Sequence, residues 1–216
     1  MAALTASHAA AVRAASDTLL PSGCQAAPLR LRGADALVFH SLDHTEHARR
    51  TAAQAAPLDS FGPLELLSTL PVDLPVPRRL LDPTVNERLR RLPRGAVART
   101  RQEVTRLAVR PLRVDLIVVR APGPRSGMEL ASQFAPFSRR AMLLRRPPRR
   151  FEELLIEADF YGIGVFVGDD AGAQMALAPE PHRPLRHTTA GWRFTEQLYR
   201  EITQDAGCGV PSLSDT

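Results

Sequence analysis

The chain has 216 residues, carries a formal net charge of +5, and is 44% hydrophobic. That length suits one domain, or one with an appendage, and the apolar content excludes a chain kept disordered by its composition. All 28 basic residues are arginine, which excludes chemistry that needs a lysine amine, such as a Schiff base or a phosphate-loop lysine.

No stretch approaches the ~18–20 apolar residues of a membrane span, so a soluble protein with no membrane partner is expected. Arg13 and Asp17 interrupt the alanine-rich start, and Leu20–Cys24 lacks the basic start and apolar run of a lipoprotein signal. Cys24 and Cys208 lie near opposite ends and make no disulfide framework. Cytoplasm is the expected location. The abundance of Ala, Arg and Pro, with Asn86 the single asparagine, is the stamp of a GC-rich, bacterial genome.

Residues 1–28 are predicted as a helical N-terminal arm, with Leu4, Ala11, Ala15 and Leu19 roughly on one face and Pro21–Gly23 as its stop. An α/β domain follows over 29–205. Its first strand candidate is Ala36–Phe39, after the turn signal Arg32-Gly33. Asp43 is positioned as the N-cap of a helix reaching Ala56. Three of the six histidines fall in the eight residues His40–His47. His40, His44 and His47 stand at i, i+4, i+7, and with Asp43 they form a candidate divalent-metal or acid/base site at a strand's carboxyl end. If Asp43 caps the helix, only His44 and His47 keep helical register, and the ordinary reading is a polar first turn. Whether any cofactor is needed stays open, with a divalent metal as the candidate.

Residues 57–83 are rich in proline and are expected to be an extended connection interrupted by one short helix, Pro63–Thr69. Asp82-Pro83 opens the next helix, which Pro93-Arg94-Gly95 stops. The stretch 96–109 fits either a helical face or a hairpin strand. As a helix it would make 83–108 a helix–turn–helix-sized, arginine-bearing DNA reader.

From Val114 the pattern becomes short apolar runs separated by amphipathic segments. The order is strand 114–120, loop Ala121–Gly127, helix Met128–Phe137, strand Ala141–Leu144, helix Phe151–Phe160, strand from Gly162, turn Asp169–Gly172, and a return to Ala178. The loop before a helix is a possible phosphate cradle but lacks any established glycine spacing. Arg139, Arg140, Arg145, Arg146, Arg149 and Arg150 put six arginines in twelve residues, a pattern suited to phosphates or an acidic partner with salt-sensitive affinity. No aromatic residue interleaves them, so base stacking is not indicated. A last helix capped near Thr189 carries Trp192, expected on the sheet, and residues 206–216 are expected as a frayed tail.

The succession strand, helix, short strand, helix, Tyr161-Gly-Ile-Gly-Val-Phe-Val167, hairpin and Ala178-Pro179 resembles the closing half of restriction-endonuclease-like PD-(D/E)XK domains over about 103–180. The resemblance implies a nuclease-like fold. The family's catalytic lysine has no counterpart here, and Asp35, Glu103 and Asp115 match none of its motif positions, so no catalytic residue is carried over.

The expected fold is therefore α/β: a single three-layer domain with a mixed, partly parallel sheet, a Pro-rich insertion and a helical arm. The leading functional expectation is a non-enzymatic, regulatory binding module for DNA, RNA or an acidic protein that uses Arg139–Arg150. The alternatives are a metal-dependent hydrolase centred on His40, Asp43, His44 and His47, and an interaction or assembly subunit.

Overall fold

The computed structural model describes residues 4–183 and 186–207. Its first half runs α1 (Ala6–Ala15), β1 (Gln25–Leu31), β2 (Ala34–Leu42), α2 (His44–Ala53), α3 (Phe61–Ser68), β3 (Pro75–Pro77), α4 (Pro83–Arg90), β4 (Val97–Arg99) and β5 (Glu103–Arg106). Its second half runs β6 (Leu112–Arg120), α5 (Pro124–Ser132), β7 (Arg139–Leu144), α6 (Phe151–Phe160), β8 (Ile163–Gly168), β9 (Ala173–Leu177) and α7 (Thr189–Gly207). The chain divides into two compact units, Met1–Ser41 with Val114–Leu185 and Leu42–Arg113 with Arg186–Thr216.

The first unit is built on a six-stranded mixed sheet in the order β1-β2-β6-β7-β8-β9. β6, β7 and β8 are parallel, while β1–β2 and β8–β9 are antiparallel hairpins at the two edges. Two parallel steps in the same direction, each crossed over through a helix, put α5 and α6 on one face by the right-handed crossover rule. The opposite face carries Leu37, Phe39, Leu116, Val118, Ala141, Leu143 and Phe166, packed with Leu4, Ala9 and Val12 from the N-terminal helical segment. Helices on both sides explain the continuous apolar run of β6, in which Leu116–Val119 are all buried. The architecture is α/β with three layers and a partly parallel sheet. The segment read as an N-terminal arm supplies one of those layers.

β1 escaped the sequence reading because Pro28 interrupts it. A proline is tolerated there because β1 is an edge strand that need not donate on both sides. The hairpin closes at Arg32 and Gly33, whose φ values of 51° and 81° are the left-handed pair of a tight two-residue turn.

The second unit combines a three-stranded sheet, ordered β3-β5-β4, with a helical core. Leu58, Leu64, Leu66, Leu67, Leu70, Leu89, Leu92, Val104 and Trp192 are buried together. Trp192 thus belongs to this core, with the Arg106 guanidinium 4.5 Å over its ring, and does not lie on the six-stranded sheet. The proline-rich stretch also contributes here: α3 begins two residues before the expected Pro63, and its leucines fill the core. Residues 96–109 form a hairpin, because the Thr100 hydroxyl accepts from the Gln102 and Glu103 amides and turns the chain back. No second helix follows α4, so the helix–turn–helix reading of 83–108 is corrected.

α5 starts at Pro124, four residues earlier than expected, and ends at Ser132. Proline at the first helical position loses no hydrogen bond and has its φ preset, so the loop Ala121–Gly127 is half helix. Gly127 then faces β7, where an added Cβ would meet Met142 Sδ at 2.6 Å and Ala121 Cβ at 3.0 Å. Of the expected frayed tail, 206 and 207 belong to α7 and 208–216 lie outside the described residues. No helix among the described residues is long and apolar enough to cross a membrane.

Gly168, the last residue of β8, has φ 147°, a conformation closed to residues with a Cβ. A methyl there would also collide with the Gly172 carbonyl oxygen and come within 2.7 Å of Ala173 Cα. Gly168→Ala is expected to cost about 1–3 kcal/mol, read as a lower Tm in thermal unfolding.

Candidate anion-binding crevice

Parallel pairing aligns Arg120 with Leu143, and Leu144 with Val167, so β6, β7 and β8 end together at one edge of the sheet. Open α/β sheets place ligands outside that carboxyl edge. Here it holds a crevice of about 970 Å³, lined by Arg120, Arg145, Arg146, His8 and Asp169, by Leu143 and Leu144, and by the turn into α5. β7 ends at Leu144, two residues short of Pro147 and Pro148, neither of which could donate to a continued ladder. With Pro122 and Pro124 on the facing loop they make the walls stiff. Arg145 and Arg146 are exposed at the mouth.

His8 is 5% exposed and lies between Thr5 Oγ1, at 2.9 Å from its Nδ1, and Arg120 Nη1, at 3.4 Å from its Nε2. A guanidinium only donates, so Nε2 accepts and the proton sits on Nδ1, donated to Thr5. The histidine thereby orients Arg120 in the crevice. The N-cap of α5, Gly123, makes no side-chain cap, so the first-turn amides of Arg125 and Ser126 add positive potential at the same place. Asp169 is the one carboxylate in the lining among the described residues, and its Oδ1 accepts from the Ala171 amide 3.1 Å away.

The six arginines of the cluster do not form one patch. Arg139 and Arg140 open β7, and Arg145 and Arg146 follow its end, so roughly 20 Å of strand separates the pairs at about 3.3 Å per residue. Arg139 Nη1 donates to the Leu19 carbonyl at 3.0 Å, and Arg140 Nη2 donates to that of Tyr161. Arg150 pairs with Glu153 on the exposed start of α6, 3.4 Å away, and Arg149 is exposed beside it. Only Arg145 and Arg146 belong to the crevice. Arg120 and His8 were missed because their contribution depends on strand register and on where α1 packs.

The histidine cluster is dispersed as well. His40 is buried in β2 at 2% exposure, and that burial lowers its pKa. Asp43 caps α2, its Oδ1 accepting the Glu46 amide at 2.9 Å. His44 is exposed, and His47 Nδ1 meets the Tyr199 hydroxyl at 2.8 Å. Among the described residues, no group of three or more His, Cys, Asp or Glu side chains is placed to hold a metal ion. The four candidates follow the ordinary requirements of a strand end and a helix start.

The second unit contains a buried ion network that sequence reading did not find. Arg50 Nε donates to Glu46 Oε1 at 2.6 Å, and its two terminal nitrogens grip Glu196 at 2.7 and 2.8 Å. Nη2 also donates to the Val109 carbonyl at 3.0 Å. Arg49 binds Glu46 through two further contacts, and Trp192 Nε1 donates to Glu196 at 2.8 Å. Glu46 and Arg50 at i, i+4 are readable as a helix pair, but Glu196 lies 146 residues away in sequence.

Burial pushes the Glu46 pKa upward, but the Arg49 and Arg50 hydrogen bonds outweigh it, and the net effect is a carboxyl below its ordinary 4.5. A group depressed in the folded state contributes stability above its unfolded pKa and loses it as pH falls through the folded value. Stability of the second unit is therefore expected to decline below about pH 4.5. Trp192 fluorescence during acid titration reports this, and Glu46→Gln flattens the slope.

Compared with protein-family models, with curated proteins and with solved structures, the chain matches none.

Proposed function

We propose that the protein binds nucleic acid through its phosphates, without base readout, at the carboxyl edge of the parallel strands. The observation that carries this reading is the convergence of Arg120, Arg145 and Arg146 in one crevice beside the uncapped start of α5. Guanidinium forks match phosphate oxygens in geometry and charge, and helix amides add to the field. Among the described residues the lining contains neither Phe, Tyr nor Trp, so bases gain no stacking platform and recognition follows the backbone. A concave crevice suits a strand end or an unpaired segment better than the smooth face of a duplex.

The test is fluorescence anisotropy of a short, labelled, 5′-phosphorylated single strand titrated with the protein at low salt. Saturable binding that weakens as salt rises is expected. Absence of binding at low salt overturns the reading.

A further inference from the structure

The two most exposed large apolar side chains among the described residues are Phe160, at 81%, and Ile156, at 73%, and both stand on α6. At i, i+4 they form one ridge. It points away from the inner face, where Leu154 and Ala158 are buried and the helix meets β8. Tyr161, also exposed, closes the end of the ridge, its ring edge-on to that of Phe160 with centroids 5.1 Å apart. Nothing within the chain requires this ridge. An exposed Ile is a poorer helix former than Glu or Ala, and an exposed Phe gains no burial.

The flanks of the ridge carry charge of one sign. The helical period sets Glu152 and Asp159 on one side and Glu153 and Glu157 on the other, all four exposed. Glu153 meets Arg150 at 3.4 Å at the helix start, and no other ion pair forms on α6 among the described residues. In a chain of net charge +5, these ten residues hold four carboxylates and no basic side chain.

That charge selects the occupant. Phosphates and anionic lipid headgroups are repelled. A second copy pairing α6 with α6 would set carboxylates against carboxylates. A helix with an apolar stripe and Lys or Arg on both flanks buries the ridge and pairs along both of its sides. Aromatic side chains are the usual anchors of such contacts, and the Phe160–Tyr161 pair is already in mutual contact before a partner arrives.

We propose that α6 docks a basic amphipathic helix of a partner protein. Its apolar stripe sits on Ile156, Phe160 and Tyr161, and its flanking cations face Glu152 and Asp159 on one side and Glu153 and Glu157 on the other. The surface is separate from the crevice and does not depend on the nucleic-acid reading.

The experiment titrates the full chain into a labelled, end-blocked peptide of about 15 residues, with Leu at i, i+3, i+4 and i+7 spacing and Arg on both flanks of that stripe. Fluorescence anisotropy is expected to show saturable binding that weakens by about tenfold or more in Ile156→Ser/Phe160→Ser. Glu153→Gln/Glu157→Gln should weaken it and reduce its salt dependence. Leu74→Ser/Leu80→Ser, at exposed leucines of the other unit, and Arg145→Gln/Arg146→Gln should leave it unchanged. Replacing the peptide's Arg with Glu should abolish binding. Ile156 and Phe160 are exposed, so their variant is expected to keep the Tm of the unaltered protein. The proposal is overturned if the peptide does not bind, or if binding survives in Ile156→Ser/Phe160→Ser. It is equally overturned if sedimentation shows self-association of the unaltered protein that this variant removes, since the occupant is then a second copy. Binding to phosphatidylserine vesicles that the same variant removes would assign the ridge to a membrane and also overturn it.

Discussion

Arg50→Met is expected to destabilise the second unit by about 3–5 kcal/mol, the usual cost of removing one member of a buried ion network. Glu46 and Glu196 are 2% and 4% exposed. Arg50 lies between them, making one contact to Glu46 and two to Glu196. Without it Glu46 retains Arg49, whereas Glu196 retains the Trp192 indole and loses the guanidinium that accompanies it. The penalty is desolvation of an uncompensated charge, which exceeds the lost van der Waals contact. Replacing Arg50, Glu46 and Glu196 together with apolar residues should recover much of the loss, because the costly state is the half-removed network. Denaturant unfolding followed by Trp192 fluorescence measures both. A loss below about 1 kcal/mol for Arg50→Met would place the network among weak surface pairs.

Arg145→Gln/Arg146→Gln is expected to weaken single-strand binding by about 30–150-fold, each charge-assisted phosphate contact contributing roughly 1–1.5 kcal/mol at low salt. Fold stability should change little, since both side chains are exposed. Arg139→Gln, at the other end of β7, is the control and should leave affinity within about twofold. The same anisotropy titration reads both. Equal losses from the two ends of the strand would indicate diffuse attraction to a basic surface in place of a crevice.

Much of the sheet unit was legible because its signals are local. Apolar runs bounded by Pro and Gly marked β6, β7 and β8, and Asp-Asp-Ala-Gly marked the last hairpin. Asp43 and Asp82 were readable as caps, and their carboxylates accept the Glu46 and Thr84 amides. β1 was hidden by Pro28, whose position on a sheet edge is a tertiary fact. The stretch 96–109 had both periodicities, and the Thr100 turn decided between them. At the site, arginine density was visible but its geometry was not. A strand six residues long divides the cluster into two ends, and only parallel register brings Arg120 beside Leu143. The Arg50 network joins residues 146 apart in sequence, beyond the reach of any spacing rule.

The most direct test of the crevice compares the salt dependence of single-strand affinity for the unaltered protein and for Arg120→Gln/Arg145→Gln/Arg146→Gln. If three phosphates are held there, the slope of log K against log salt should become shallower by about 2, at roughly 0.7 per phosphate on a single strand. An unchanged slope in the triple variant would mean that the phosphates are held elsewhere, and would contradict the account.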